Sequence, residues 1–272
     1  MSKGVARVRG IEMAYDDTGG EGPALVLLHG FPFDRSMWRG QWEALGKEFR
    51  FVAPDLRGLG ETPLGDEEVS VESMAKDVAA LLDELRLESI ALGGLSMGGY
   101  VAFEFMRKFS ERVRALVLAD TRPQADTEDG RRAREENARR ALKDGMAPIA
   151  ESMLPKLLSA GTRERGGEVI ERVRAMMLGT SPGGAAAALR AMASRRDQTE
   201  LLSSIKVPTL VVVGEEDSIT PPEVVGAMNA KIEGSRLVVL KGAGHLSNVE
   251  RPSEFNRALS EFLRALPLSK RV

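Results

Sequence analysis

The sequence predicts an α/β fold: a mostly parallel, eight-stranded sheet flanked by helices, with a helical segment inserted into it. Three observations carry this. Short, unbroken apolar runs alternate along the chain with segments of helical spacing, the pattern of parallel strands joined by helical crossovers. Between Asp120 and about Thr199 the apolar runs stop, and helical stretches follow one another. Residues 93–99, Gly-Gly-Leu-Ser-Met-Gly-Gly, put a turn of small residues between a strand-like and a helix-like run.

The elements follow in order. Val5 to Val8 and Ile11 to Asp16 alternate in polarity across Arg9-Gly10, as a hairpin does. Ala24 to Leu28 is continuously apolar, the signature of a strand buried on both faces. Phe49 to Ala53 is a second such run, ending at Pro54-Asp55. Val71, Met74, Val78, Leu81, Leu82 and Leu85 have the spacing of one helix face. Ile90 to Leu92, Ala115 to Leu118, Thr209 to Val213 and Arg236 to Leu240 complete eight strands. Within the insert, helices are expected over Glu128 to Asp144, Met146 to Leu158, Gly166 to Leu178 and Gly183 to Met192. The chain therefore divides into a core, residues 1–122 and 200–272, and a helical cap, residues 123–199.

Composition bounds the chemistry. The 272 residues carry 38 Lys and Arg against 40 Asp and Glu, a formal charge of -2, so nothing points to nucleic acid. The arginines of the run 131–140 are interleaved with acids and read as a solvated helix face. With no cysteine, disulfides, thiolate metal sites and a cysteine nucleophile are excluded; with two histidines, so is a histidine-rich metal cluster. No apolar run reaches the ~18 residues that span a bilayer. Met1 to Gly10 lacks the apolar stretch and cleavage site of a signal peptide. The expectation is a cytoplasmic protein, monomer or homodimer, with no cofactor or metal and no membrane or nucleic-acid partner.

Gly94-Leu-Ser96-Met-Gly98 has the spacing of a nucleophile elbow, a sharp turn that exposes a serine above the sheet. Such a serine needs a base, and His245, in the glycine-flanked loop after the last strand, is the candidate. His29 precedes the serine and is followed by Gly30, which suits a loop-shaping role. The base needs a carboxylate to hold its tautomer. Asp217 follows the penultimate strand and is preferred; Asp120, also at a strand end after Ser96, is the alternative. Glu215 and Glu216 are expected to help form the turn. A tetrahedral oxyanion needs two N–H donors, expected from Met97 and Phe31, since Pro32 has none. Phe33, Trp38 and Tyr100 are expected to border the site from the core side, with Met146 and Met153 among the cap residues that close it. Asp55-Leu-Arg-Gly-Leu-Gly lacks the spacing of a phosphate loop; Asp55 and Arg57 are expected to brace loops through an ion pair and backbone hydrogen bonds.

Together, His29-Gly30-Phe31-Pro32, Asp55-Leu-Arg-Gly-x-Gly, Gly94-x-Ser96-x-Gly98-Gly99, Gly214-Glu-Glu-Asp217-x-Ile-Thr-Pro221 and Gly244-His245 resemble the α/β-hydrolases of the cap-bearing, small-molecule type over almost the whole chain. Within them the chain is similar to carboxylesterases, 3-oxoadipate enol-lactonases and cofactor-free haloperoxidase or perhydrolase relatives. The resemblance implies a small-molecule ester substrate of short-to-medium acyl length. The alternatives are an enol-lactone or C–C bond hydrolase of a catabolic pathway and, less favoured, a perhydrolase side activity tied to Pro32 or a non-catalytic receptor. Serine at position 96 argues against the dehalogenases and epoxide hydrolases, which use an aspartate nucleophile.

Overall fold

The computed structural model describes residues 2–20 and 24–266; positions 1, 21–23 and 267–272 of the expected core lie outside them. Among the described residues there are eight strands: β1 (Ser2–Val8), β2 (Ile11–Asp17), β3 (Ala24–Leu28), β4 (Arg50–Pro54), β5 (Ile90–Leu95), β6 (Val113–Ala119), β7 (Thr209–Gly214) and β8 (Arg236–Leu240). They form one sheet in the order β1-β2-β4-β3-β5-β6-β7-β8. The β1/β2 and β2/β4 pairings are antiparallel, and every other pairing is parallel.

The period of two sorts each central strand onto two cores. Val26 and Leu28 of β3, Leu116 and Leu118 of β6, and Val211 and Val213 of β7 point into one apolar cluster. Leu25 and Leu27, Ala115 and Val117, and Leu210 and Val212 point into the other. Helices α2 (Val71–Glu84), α3 (Met97–Phe109) and α9 (Pro222–Asn229) cover the first face. Helices α1 (Arg39–Leu45), the short α10 (Ser247–Glu250) and α11 (Pro252–Ala265) cover the second. Each fully buried Leu, Val or Phe contributes ~1.5–3 kcal/mol, so the central strands fix the register of everything at their ends. Helix α2 starts where a reciprocal capping box forms: Ser70 and Ser73 each accept the other's N–H, at 2.9 and 2.8 Å.

Several boundaries shift from the expected ones for physical reasons. Strand β5 runs through Gly93 and Gly94 to Leu95, because those glycines still pair with β3 and β6. Strand β1 extends back to Ser2 as the hairpin partner of Asp17. Helices α1, α9, α10 and α11 are additional to the expected series.

Between β6 and β7 there are five helices and no strand: α4 (Glu128–Asp144), α5 (Ala147–Leu157), α6 (Ala160–Arg165), α7 (Glu168–Gly179) and α8 (Pro182–Ala193). Helix α6 was hidden by its polar Arg163-Glu164-Arg165 end and is announced only by its cap, Ser159, whose hydroxyl accepts from Thr162 N–H. On α4 Arg139 and Arg132 lie on a solvated face as ion pairs, with Glu135 at 3.0 Å and Glu128 at 3.3 Å, whereas half-buried Arg134 turns inward to Asp126. Among the described residues no helix is long and apolar enough to cross a membrane.

Candidate active site

The candidate residues gather at the carboxyl ends of β3, β5, β7 and β8, the edge of a parallel sheet where loops converge. Ser96 terminates β5 and caps α3 with φ 53° and ψ -112°. That conformation costs a non-glycine residue ~1–3 kcal/mol and is held by its surroundings. Ser96 N–H donates to Ala119 C=O at 3.0 Å, and its own C=O accepts from the Thr121 hydroxyl at 2.8 Å. The flanking positions cannot carry a side chain. A Cβ at residue 94 would lie 2.2 Å from Gly98 O, and one at residue 98 would lie 2.1 Å from Leu28 O. The α3 N-terminus is thereby pressed against the loop that follows β3.

His245 and Asp217 are both buried, and His245 Nδ1 lies 2.8 Å from Asp217 Oδ2. Asp217 in turn accepts from Ile219 N–H at 2.8 Å, Thr220 N–H at 3.0 Å and the Thr220 hydroxyl at 2.5 Å. Burial pushes the Asp217 carboxyl up. The charge of His245 and the hydrogen bonds from His245 and Thr220 outweigh it, and Asp217 is held below the usual carboxylate range. With Asp217 ionised, the neutral imidazole keeps its proton on Nδ1, and the lone pair of Nε2 is left for other work. Thr220 has no assigned part in the sequence reading, although the order Asp217-Ser-Ile-Thr220 is what an aspartate turn capped by a threonine needs.

Asp120, the alternative acid, is fully buried with φ 44°. Its Oδ1 accepts from Gly214 N–H at 2.8 Å and its Oδ2 is bonded to the Ser247 hydroxyl. Burial, and then the charge of Asp217, push it well above the usual range. It bridges the β7 end and α10 and makes no hydrogen bond to either histidine.

His29 is also fully buried. Its Nε2 accepts from Leu56 N–H at 2.9 Å, and its Nδ1 lies 2.9 Å from Gly30 C=O, so both ring nitrogens are used in tying the β3 and β4 loops. Asp55 and Arg57 do brace those loops, but each with a partner of its own. Asp55 bonds the Arg35 guanidinium and the N–H groups of Arg35 and Glu61, at 2.7 and 2.8 Å for the two amides. Arg57 is bidentate to Asp77, at 2.7 Å for each bond.

The N–H groups of Phe31 and Met97 stand on the two loops pressed together beside Ser96, and neither has an acceptor among the described residues. The pocket candidates are divided between the two apolar clusters, which meet at Met153. Phe33 and Trp38 belong to the core on the α1 and α11 face, where Trp38 packs against Phe255 at 6.1 Å between ring centroids. Tyr100 and Met146 belong to the opposite cluster, and half-buried Met153 packs against both. Tyr100 also carries the Arg195 guanidinium over its ring at 4.2 Å and lines a cavity of about 200 Å³ with Phe103, Glu104 and Gln198.

The family model described as alpha/beta hydrolase fold matches residues 23–252. The chain is 30% identical over 244 residues to 3-oxoadipate enol-lactonase 1 of Acinetobacter baylyi, covering 90% of each. Among solved structures it is similar to a malate-bound thermophilic esterase from Thermogutta terrifontis, with 43% identity, TM-score 0.94, and 98% and 99% of the two chains covered. It is also similar to the enol-lactonase from Burkholderia xenovorans, with 30% identity, TM-score 0.89, and 96% and 100% covered.

Proposed function

The chain belongs to the α/β-hydrolase fold family, and from that premise we propose that it is a serine hydrolase cleaving carboxylic esters of small to medium acyl length. The observation that carries the reading is the Asp217–His245 hydrogen bond at the ends of β7 and β8, on the same sheet edge as the strained Ser96 turn. In this reading His245 Nε2 takes the Ser96 proton as Oγ attacks the ester carbonyl. The oxyanion forms beside the Phe31 and Met97 N–H groups, which have no acceptor to give up first. The imidazolium, steadied by Asp217, returns the proton to the leaving alcohol, and Ser96 keeps the acyl group. Water then loses a proton to His245, attacks the acyl-enzyme and releases the acid, restoring Ser96. The five-helix insert serves as a cap over this site, and its apolar residues set the acyl length.

A second reading has its own support. Three relatives are named enol-lactonases, at 29–30% identity, and the same triad would open a lactone by the same two steps. Ester cleavage is preferred because the esterase relative is the more similar, at 43% identity. The test is turnover of p-nitrophenyl acetate and butyrate against an enol-lactone, with a pre-steady-state burst of p-nitrophenol marking the acyl-enzyme. A lactone kcat/KM more than ~100-fold above that of every ester would favour the second reading. No burst and no turnover of either would remove both.

A further inference from the structure

Helix α10 ends on a carboxylate that the reaction scheme does not use. Glu250 Oε1 accepts the N–H of Gly244, the residue before His245, at 2.6 Å. Its Oε2 accepts both the N–H and the hydroxyl of Ser159 in the insert, at 2.9 and 2.7 Å. Three neighbouring bonds reach the same stretch of the insert. Leu246 N–H donates to Leu157 C=O at 3.2 Å, Ala160 N–H to Glu216 Oε2 at 2.9 Å, and the Ser218 hydroxyl to Lys156 C=O at 3.4 Å. The α5–α6 junction of the insert is thus bonded to the residues on both sides of Asp217 and on both sides of His245.

The packing leaves no slack at the centre of this junction. A Cβ at residue 244 would lie 2.7 Å from Ser159 N and 2.8 Å from Leu158 C. Gly244 O, on its other side, would lie 2.0 Å from a Cβ at residue 214. The backbone leading into His245 is therefore wedged between the insert and the end of β7, and Glu250 is a side chain that ties this backbone to the insert. A carboxylate with three donors is a strong tie, because a charged acceptor roughly doubles the strength of each bond.

We propose that Glu250 is a positioning residue for the reaction: by bonding Gly244 and Ser159 at once, it makes the helical insert set the direction of the loop that carries the His245 imidazole, as well as roof the site. The inference rests on His245 being the base. Its consequence is that loosening residues 156–160 lowers turnover itself, where a mere roof would alter only substrate binding.

The test compares wild type with Glu250→Ala, Glu250→Gln, Ser159→Ala and His245→Ala. Each is titrated with a fluorophosphonate to count competent serines, and kcat per titrated site and KM are then measured on p-nitrophenyl butyrate. Glu250→Ala is expected to lose ~10–100-fold in kcat per site with KM moving less than ~3-fold, the effect of a misdirected base. Glu250→Gln has a single acceptor oxygen, leaves either the Gly244 or the Ser159 N–H without its acceptor, and falls between. Ser159→Ala loses one bond of three and falls least. If the alanine variant does not fold, the glutamine and Ser159 variants carry the test, with losses of ~3–10-fold per site expected. A kcat per site within twofold of wild type in every folded variant overturns the proposal, as does a loss explained entirely by fewer titratable serines. If His245→Ala keeps its turnover, the reading of the base has failed and this inference falls with it. If His245→Ala is inactive and the Glu250 variants are unaffected, this inference alone has failed.

Discussion

The two histidines of this chain are both buried at the carboxyl ends of parallel strands, yet their surroundings give them opposite characters. At the β3 end, His29 spends both nitrogens on backbone, accepting from Leu56 N–H and facing Gly30 C=O. Burial without a bonded carboxylate holds its pKa below the usual histidine value, although the charges of Asp55 and Asp34 oppose this. At the β8 end, His245 has a carboxylate on Nδ1, and among the described residues no protein group bonds its Nε2. Burial alone makes a structural imidazole. A carboxylate on one nitrogen and no protein bond on the other are what the proposed base needs.

The largest expected effect bears directly on this contrast. Ser96→Ala and His245→Ala should each lower kcat on p-nitrophenyl butyrate by ~10⁴–10⁶, with melting temperatures near wild type. His29→Ala should retain much more activity while melting earlier, since it leaves the buried Leu56 N–H unpaired. A His29 variant less active than the His245 variant, compared per folded molecule, would reverse the assignment of the base.

The two aspartates sharpen the comparison next. Asp217 is held low and Asp120 is pushed up, so each should have its own response to pH. Asp217→Asn should cost ~10⁴ in kcat by disturbing the imidazole tautomer. Asp120→Asn should stay within ~3-fold of wild type, because the amide can still accept from Gly214 N–H and donate to the Ser247 hydroxyl. Asp120→Ala instead leaves a buried N–H unpaired and should destabilise by ~1–3 kcal/mol. Because the folded-state value of Asp120 is raised, its contribution is complete at acid pH and is lost as pH climbs towards that value. Asp120→Asn, which cannot ionise, should therefore flatten the fall in melting temperature as pH rises above the ordinary carboxylate value of about 3.9. Equal losses in the amide and alanine variants would contradict this.

Smaller still is the acid-side effect of His29. Its folded-state value is lowered, so the stability it contributes is complete above its unfolded value of about 6.5 and is lost as pH falls below it. Between pH 7.5 and 5.5 wild type should therefore lose ~2–4 °C more in melting temperature than His29→Gln, which has an acceptor but no proton to gain. Parallel curves for the two proteins would show that His29 is not the group responsible.

Much of this was legible before any fold was known. The unbroken apolar runs Ala24 to Leu28 and Thr209 to Val213 identify strands buried on both faces, because no other short element removes every side chain from water. The spacing Gly94-x-Ser96-x-Gly98 marks the turn, because only residues without a Cβ let α3 lie against the β3 loop. With only two histidines to choose between, chain order already favoured His245. These are local constraints, and local constraints are written in neighbouring residues.

Tertiary structure decided what depends on partners far apart in sequence. It chose Asp217 over Asp120 as the carboxylate bonded to His245, although both end strands after Ser96; the difference lies in which loop β8 brings into reach. It paired Asp55 with Arg35 and Arg57 with Asp77, where residue types alone specify only that some ion pair forms. It put Phe33 and Trp38 in one apolar cluster and Tyr100 and Met146 in the other, because burial marks a residue as apolar without saying which neighbours it packs against. It also joined Glu250 to Ser159, 91 positions away, a contact that no periodicity encodes. A sequence specifies its elements through short-range geometry and excluded volume; the pairing of charges and donors across the chain exists only after the hydrophobic cores have brought those elements together.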